Sequence, residues 1–394
     1  MQPEPWGLAR GLAELRLAGR YRARRVVEAR VPGTQRVRVD GRDCVSFCSN
    51  DYLGLADHPQ VTEAFVAAAR DWGVGSGASH LVSGHSREHH ALEEEFAAFV
   101  QRPRALLFST GYMANLAVAS ALLGRGDHIL EDRLNHASLL DAGLASGARF
   151  RRYAHADPQA LGRRLAGARE GRILVATDGV FSMDGDVAPL AALAALCRQH
   201  DAWLLVDDAH GFGVLGDHGR GSTEAAGLSP DDVPLLMCTL GKAIGTFGAC
   251  VAGTEDVVET LIQRARTYIY TTALPPAVAA ATRAALRVLR EEPWRRHRVL
   301  DHAARFRAAV ASLGLELAPS ATPIQPVVLG TEAAALGASE ALLEAGFWVP
   351  AIRPPTVPEG RSRLRITFSA SHTPAEVDGL VAALGTMLRV AGAE

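Results

Sequence analysis

Trp203-Leu204-Leu205-Val206-Asp207-Asp208-Ala209-His210-Gly211 is an apolar run that ends in an acid and turns through a histidine and a glycine. Consecutive apolar residues without alternation suit a strand covered on both faces, the situation of a parallel sheet. Outward from this stretch, the same unit of apolar strand, turn and amphipathic helix recurs from about Pro103 to Gly253. Its predicted strands are Ala105–Phe108, His128–Glu131, Ile173–Thr177, Trp203–Asp207, Leu235–Thr239 and Ala249–Ala252. Such repetition predicts an α/β fold with a mostly parallel central sheet flanked by helices. Ligands in these folds sit at the carboxyl ends of the strands, and the chemically able residues fall there.

On the N-terminal side, Leu8 to about Arg30 predicts an arginine-rich helical arm. Val37–Val39 and Cys44–Cys48 then predict a hairpin turning at Asp40-Gly41. On the C-terminal side, a helical stretch from Pro276 to Arg307, broken near Pro293, leads to predicted strands Gln325–Leu329, Phe347–Val349 and Arg363–Phe368. With the helix Ala334–Ala345 they form a smaller α+β unit. The expected domains are residues 1–48 for arm and hairpin, 49–290 for the large domain and 291–394 for the small one.

With 394 residues, 48% of them hydrophobic and 21% charged, the chain can bury a sizeable core and is not of disordered composition. A net charge of −2 argues against a nucleic-acid partner. Cys44, Cys48, Cys197, Cys238 and Cys250 are odd in number and lack C-x-x-C spacing, so neither a metal site nor a disulfide framework is expected. A reducing, cytoplasmic setting suits them. Met1 to Leu17 lacks a signal-peptide core and no run is long and apolar enough for a membrane span, so no membrane partner is expected.

Lys242, in Thr239-Leu240-Gly241-Lys242-Ala243, follows a strand among small residues that could desolvate an amine and lower its pKa. Asp207, ending a buried strand, wants a cationic partner. Together they supply what pyridoxal 5'-phosphate requires: an amine to condense with its aldehyde and a carboxylate to keep its pyridine nitrogen protonated. His210, on the loop after Asp207, could reach the phenolic oxygen. His136, in Asn135-His136-Ala137-Ser138, could stack on the ring. Taken alone, His210 more often reads as a surface or capping histidine, and the plain alternative for His136 is an N-cap neighbour with no ligand. Phe108-Ser109-Thr110-Gly111-Tyr112-Met113-Ala114-Asn115 joins a strand to a helix through a glycine and would offer N–H groups to a phosphate, though similar turns without ligands are common.

These segments, with Ser49-Asn50-Asp51-Tyr52-Leu53-Gly54-Leu55 and Val180-Phe181-Ser182-Met183-Asp184-Gly185-Asp186, follow one another in the order seen in the α-oxoamine synthases, which the chain resembles over most of its length. Those are pyridoxal-phosphate enzymes of aminotransferase fold type I. The resemblance implies that Lys242 bonds the cofactor, Asp207 pairs with the pyridinium, His136 stacks on the ring and His210 bonds the phenolic oxygen, with Ser182 nearby. Gly111, Tyr112 and Thr239 would surround the phosphate. Arg353 would grip an amino-acid carboxylate through a bidentate ion pair, with Asn50 and Thr356 at the substrate. Thr271 and Thr272 would reach the neighbouring subunit's phosphate, which implies a homodimer with shared active sites. Arg24 would contact substrate, though its arginine-rich helix equally reads as a solvated basic face.

Within that family, Ala351-Ile352-Arg353-Pro354-Pro355-Thr356-Val357-Pro358 and Arg363-Leu364-Arg365-Ile366-Thr367 most resemble the members that serve biotin synthesis. These condense L-alanine with pimeloyl-CoA or pimeloyl-acyl carrier protein, releasing carbon dioxide and the free thiol carrier. The rival expectations are a glycine-using synthase of the 2-amino-3-oxobutyrate CoA ligase or 5-aminolevulinate synthase type, and a non-catalytic pyridoxal-phosphate-binding protein. Asp178, where relatives often carry glutamate, and Ser79-His80-Leu81 in a glycine-rich stretch depart from the family pattern.

Overall fold

The computed structural model describes residues 6–315 and 317–391, with side chains up to residue 387. These residues fall into two compact units, one built from Asn50–Ser182 and Asp186–Arg298 and the other from the remainder.

The first unit is organised by a seven-stranded sheet. Named by their first residues, its strands run in the order Arg104, Ala249, Leu235, Trp203, Ile173, His128, Arg149. All neighbours are parallel except Ala249–Gly253, which runs antiparallel to both Arg104–Phe108 and Leu235–Thr239. The six predicted strands are present, and the sheet is mostly parallel as expected, made mixed by the antiparallel Ala249–Gly253. Arg149–Tyr153, absent from the sequence expectation, is an edge strand whose Arg-Phe-Arg-Arg-Tyr sequence leaves three of its five residues exposed. Charge on an edge protects it from pairing with other chains, and it also hides the apolar signal by which buried strands are read.

Strands buried on both faces explain the continuous apolar runs. Leu174, Leu205, Leu235, Met237 and Val251 lie in one core cluster, each at most 2% exposed. Truncating any of these leucines to alanine should cost about 2–5 kcal/mol. The helix Gly111–Leu122 packs on this sheet and on Ala137–Ala145, and the small buried residues Ala114, Ala117, Ala119 and Ala121 permit the close approach. Register is what builds the site: Asp178 pairs with Asp207 and Asp207 with Met237, so the carboxyl ends of three neighbouring strands finish side by side.

In the second unit the predicted N-terminal helix is much shorter than expected. It spans Leu8–Leu17, and Gly19, with φ of 64°, lies just beyond it in the left-handed region. The β-branched Val26-Val27 pair then leads into a strand, Val27–Arg30, antiparallel to Arg36–Val39. Arg36–Val39 and Arg42–Ser46 make the predicted hairpin, and Arg42–Ser46 also pairs in parallel with Phe347–Trp348. That pairing is why residues read as a separate arm and hairpin group with the C-terminal part of the chain. Met183–Gly185 belong to this unit too, where the buried Arg363 donates to Asp184 at 2.5 Å and to the Met183 carbonyl at 3.2 Å.

A second sheet of this unit joins Ile324–Gly330, Ser362–Thr367 and Ala351–Ile352, all antiparallel. The two-residue strand Ala351–Ile352 and the helix Pro374–Ala391 were not among the expected elements. The long helical stretch breaks as the sequence predicts, into Pro276–Glu291 and Trp294–Val310 on either side of Pro293. No helix among the described residues is long and apolar enough to cross a membrane.

Candidate active site

A cavity of about 200 Å³ opens at the carboxyl ends of the central strands. Lys242, Asp207, His136, His210, Gly111, Tyr112, Ser182 and Thr239 all line it. Joining these expected residues are Ser138, Asp178, Val180, Ala209 and Met237.

Lys242 follows the strand Leu235–Thr239 in a tight turn closed by the Gly245 N–H to the Lys242 carbonyl at 2.8 Å and the Thr246 N–H to the Leu240 carbonyl at 2.9 Å. Its Nζ lies 3.0 Å from Nε2 of His210. The other ring nitrogen of His210 lies 2.6 Å from the Tyr52 hydroxyl, which in turn donates to Oδ1 of Asn50 at 3.2 Å. Tyr52 is fully buried. The amine is therefore oriented by a chain of three polar side chains.

Asp207 is buried and held from two sides. Asn115 donates to its Oδ2 at 2.7 Å, and the Ala209 N–H donates to Oδ1 at 3.1 Å. The Asn115 amide nitrogen is also 2.9 Å from the Ser138 hydroxyl, which sits 2.8 Å from Nδ1 of His136. One connected network thus links the acid with the imidazole. Asp208, next in sequence, turns away from the cavity. It accepts from the Ser222 N–H at 2.8 Å, and burial pushes its carboxyl up to about 7. A Cβ at residue 211 would come 2.2 Å from its Oδ1, so the glycine after His210 is a packing requirement.

His136 caps the helix Ala137–Ala145, accepting the Ser138 N–H at its Nδ1 while its own N–H donates to Asp178 at 2.9 Å. Burial holds its pKa below the ordinary histidine range; Asp207 pulls the other way and Lys242 adds to the depression. The imidazole is accordingly neutral near pH 7. Asp178 is raised well above the carboxylate range, first by burial and then by repulsion from Asp207. Two buried carboxyls on adjacent strands require a proton or a cation between them and their surroundings.

At the other end of the cavity, Thr110 caps the helix Gly111–Leu122 through Met113 N at 3.2 Å. The first-turn N–H groups of Gly111 and Tyr112 have no partner within the helix and lie at its positive end. A Cβ on residue 111 would meet Thr239 Cγ2 at 2.8 Å, so glycine lets the helix start close against the strand end. The Tyr112 hydroxyl donates to Asp141.

This donor set fits pyridoxal phosphate: anion-binding N–H groups beside a threonine, a buried carboxylate for a protonated ring nitrogen, and an amine within the same small space. Thr271 and Thr272 do not line the cavity, and Thr272 forms an isolated bridge with Ser79. In the other unit, Arg353 donates to the Gly19 carbonyl, Arg22 donates to Thr356 Oγ1 at 3.2 Å, and Arg24 is exposed.

Sequence reasoning overlooked Asn115, Ser138 and Tyr52 as site residues. An asparagine inside an otherwise apolar helix was the available signal for the first. A stronger clue also went unread: Lys242 is the only lysine in the chain, every other side chain in the basic count being arginine.

The family model for aminotransferase class I and II matches residues 42–384. A protein of Methylococcus capsulatus named 8-amino-7-oxononanoate synthase is 63% identical over 376 residues, covering 95% of this chain and 97% of that protein. Among solved structures, a serine palmitoyltransferase variant from S. paucimobilis with a bound PLP–myriocin aldimine superposes with a TM-score of 0.93 at 31% identity, covering 98% of each chain. The 8-amino-7-oxononanoate synthase of Francisella tularensis superposes with a TM-score of 0.77 at 32% identity, over 88% of this chain and 98% of that one.

Proposed function

The chain belongs to the aminotransferase class I and II family, among its 8-amino-7-oxononanoate synthases, and from that premise we propose that it condenses L-alanine with a pimeloyl thioester. Membership makes it a pyridoxal-phosphate-dependent acyltransferase of biotin synthesis. The meeting of Lys242, Asp207 and His136 in one cavity beside the N-terminus of the helix Gly111–Leu122 carries the cofactor reading, and the likeness to proteins named 8-amino-7-oxononanoate synthase supports the choice of substrates.

When bound, pyridoxal phosphate supplies an electron sink for the bonds that break at the amino acid's α-carbon. Lys242 would hold the cofactor through its amine and would act as the base toward the α-proton of the amino acid. Asp207, gripped by Asn115 and the Ala209 N–H, keeps a proton on the ring nitrogen. Neutral His136, which lines the same cavity, would stack on the ring and could donate to the thioester carbonyl. His210, pinned by Tyr52, and Ser182 serve the phenolic oxygen. The Gly111 and Tyr112 N–H groups and the Thr239 hydroxyl take the phosphate.

The family resemblance assigns the alanine carboxylate to Arg353 and substrate contacts to Asn50, Thr356 and Arg24. Thr271 and Thr272 serve the phosphate of a second copy, so the working form is a homodimer; the cysteine pattern suits a cytoplasmic setting. The pimeloyl group arrives on coenzyme A or acyl carrier protein, and its thiol carrier leaves with carbon dioxide.

Thiol release from pimeloyl, acetyl and succinyl thioesters, each with L-alanine or glycine, tests the assignment. Turnover should require alanine and the pimeloyl donor together. Preference for glycine with acetyl or succinyl donors would assign the chain to another α-oxoamine synthase instead.

A further inference from the structure

We propose that His85, His90 and Glu93 form a binding site for a divalent transition-metal ion of the Zn²⁺ type, sharing no residue with the cavity that Lys242 lines. His90 and Glu93 stand three residues apart on the helix Arg87–Phe99 and so share a face. His85 lies just before the helix, on the extended residue that closes the turn His80–Gly84. One ligand atom from each of the three lies within 4.8 Å of the others.

The two imidazoles are already spaced for coordination. His85 Nε2 is 3.4 Å from His90 Nδ1. Two nitrogens bound tetrahedrally to one Zn²⁺ at 2.0–2.1 Å would stand about 3.3 Å apart. Their outward nitrogens have the partners that orient metal-binding histidines. His90 Nε2 is 3.5 Å from Glu94 Oε1, and His85 Nδ1 is 3.0 Å from His80 Nδ1. His80 is itself fixed by stacking on Tyr268 at 5.0 Å. With protons on those outward nitrogens, the inner lone pairs of His85 and His90 face each other, an arrangement that a cation relieves.

Glu93 would supply the oxygen ligand: burial raises its carboxyl to about 8, so a bound cation would take the place of its proton, and one of its oxygens is steadied by the Leu107 N–H at 2.9 Å. His89 also lies close but is committed elsewhere. Its Nδ1 accepts the Ser86 N–H at 2.9 Å and its Nε2 meets the Leu274 carbonyl at 2.7 Å. Two histidines and one glutamate leave a fourth position open toward solvent, since His85 and His90 are exposed. A bound ion would tie the turn His80–Gly84 to the helix and stabilise both.

Equilibrium dialysis of the cofactor-loaded protein against Zn²⁺, with Co²⁺ as a spectroscopic probe, tests the site. The expected result is stoichiometric uptake, with a raised Tm, by the unsubstituted protein and by His297→Ala, which removes an exposed histidine outside the cluster. His85→Ala and His90→Ala should each weaken uptake roughly tenfold or more and lose the Tm rise. Absence of stoichiometric uptake by the unsubstituted protein, or unchanged uptake by both cluster variants, would overturn the proposal.

Discussion

The Lys242 amine and the His210 imidazole are direct neighbours, with Nζ 3.0 Å from Nε2. The position of that imidazole depends in turn on Tyr52, whose hydroxyl is 2.6 Å from His210 Nδ1. A strand end, a loop and a segment from early in the chain therefore converge to aim one amine.

Tyr52→Phe should keep the fold, because the ring volume is retained and only the hydroxyl is lost. Removing a hydrogen bond to a buried partner costs about 1–3 kcal/mol, so kcat/KM should fall roughly tenfold as the His210 ring loosens. Steady-state kinetics with circular dichroism as a folding control checks this. Unchanged kinetics would mean that Tyr52 does not position the imidazole.

Asn115→Leu should strike the cofactor rather than the amino-acid site. The buried Asp207 would lose the donor at 2.7 Å that steadies it, and the Ser138 link to His136 would break with it. A charged group left short of a donor costs at least about 1–3 kcal/mol. The dissociation constant for pyridoxal phosphate, measured by fluorescence titration, should rise roughly tenfold, with a smaller effect on the KM for alanine.

His155 gives a pH signature of stability. Burial opposes its charge, but hydrogen bonds to Asp132 at 3.0 Å and Asp186 at 2.9 Å outweigh that and hold its pKa at about 10. A folded-state pKa raised above the unfolded value contributes stability that is complete below about pH 6.5 and is lost as pH rises through about 10. His155→Gln should therefore lower the urea midpoint strongly near neutral and acidic pH and much less above about pH 10. A stability gap independent of pH would contradict the ion-pair account.

Most of the central sheet was legible because its strands are buried on both faces, which writes them as short continuous apolar runs such as Leu235–Thr239. Arg149–Tyr153 was not, since an arginine-rich edge strand carries no such run. The N-terminal helix was overextended because arginines satisfy a helical pattern as readily as a loop or an exposed strand. Only the backbone reversal at Gly19 and the pairing of Val27–Arg30 decide the matter.

The candidate site shows the same division. Residues whose chemistry is visible one at a time, Lys242, Asp207, His136 and His210, could be named from their places after strands. Asn115 and Ser138 act by connecting others, and Asp178 matters because register sets it beside Asp207. Such relations exist only once the chain has folded.

Borohydride reduction of the cofactor-loaded protein, followed by peptide mass spectrometry, tests the central claim most directly, because the chain offers a single lysine side chain. The expected result is a phosphopyridoxyl group on the peptide containing Lys242, and no such adduct when L-alanine has displaced the amine before reduction. Adduct on the amino terminus alone, or none on Lys242 in a protein that still turns over alanine and the pimeloyl thioester, would contradict it.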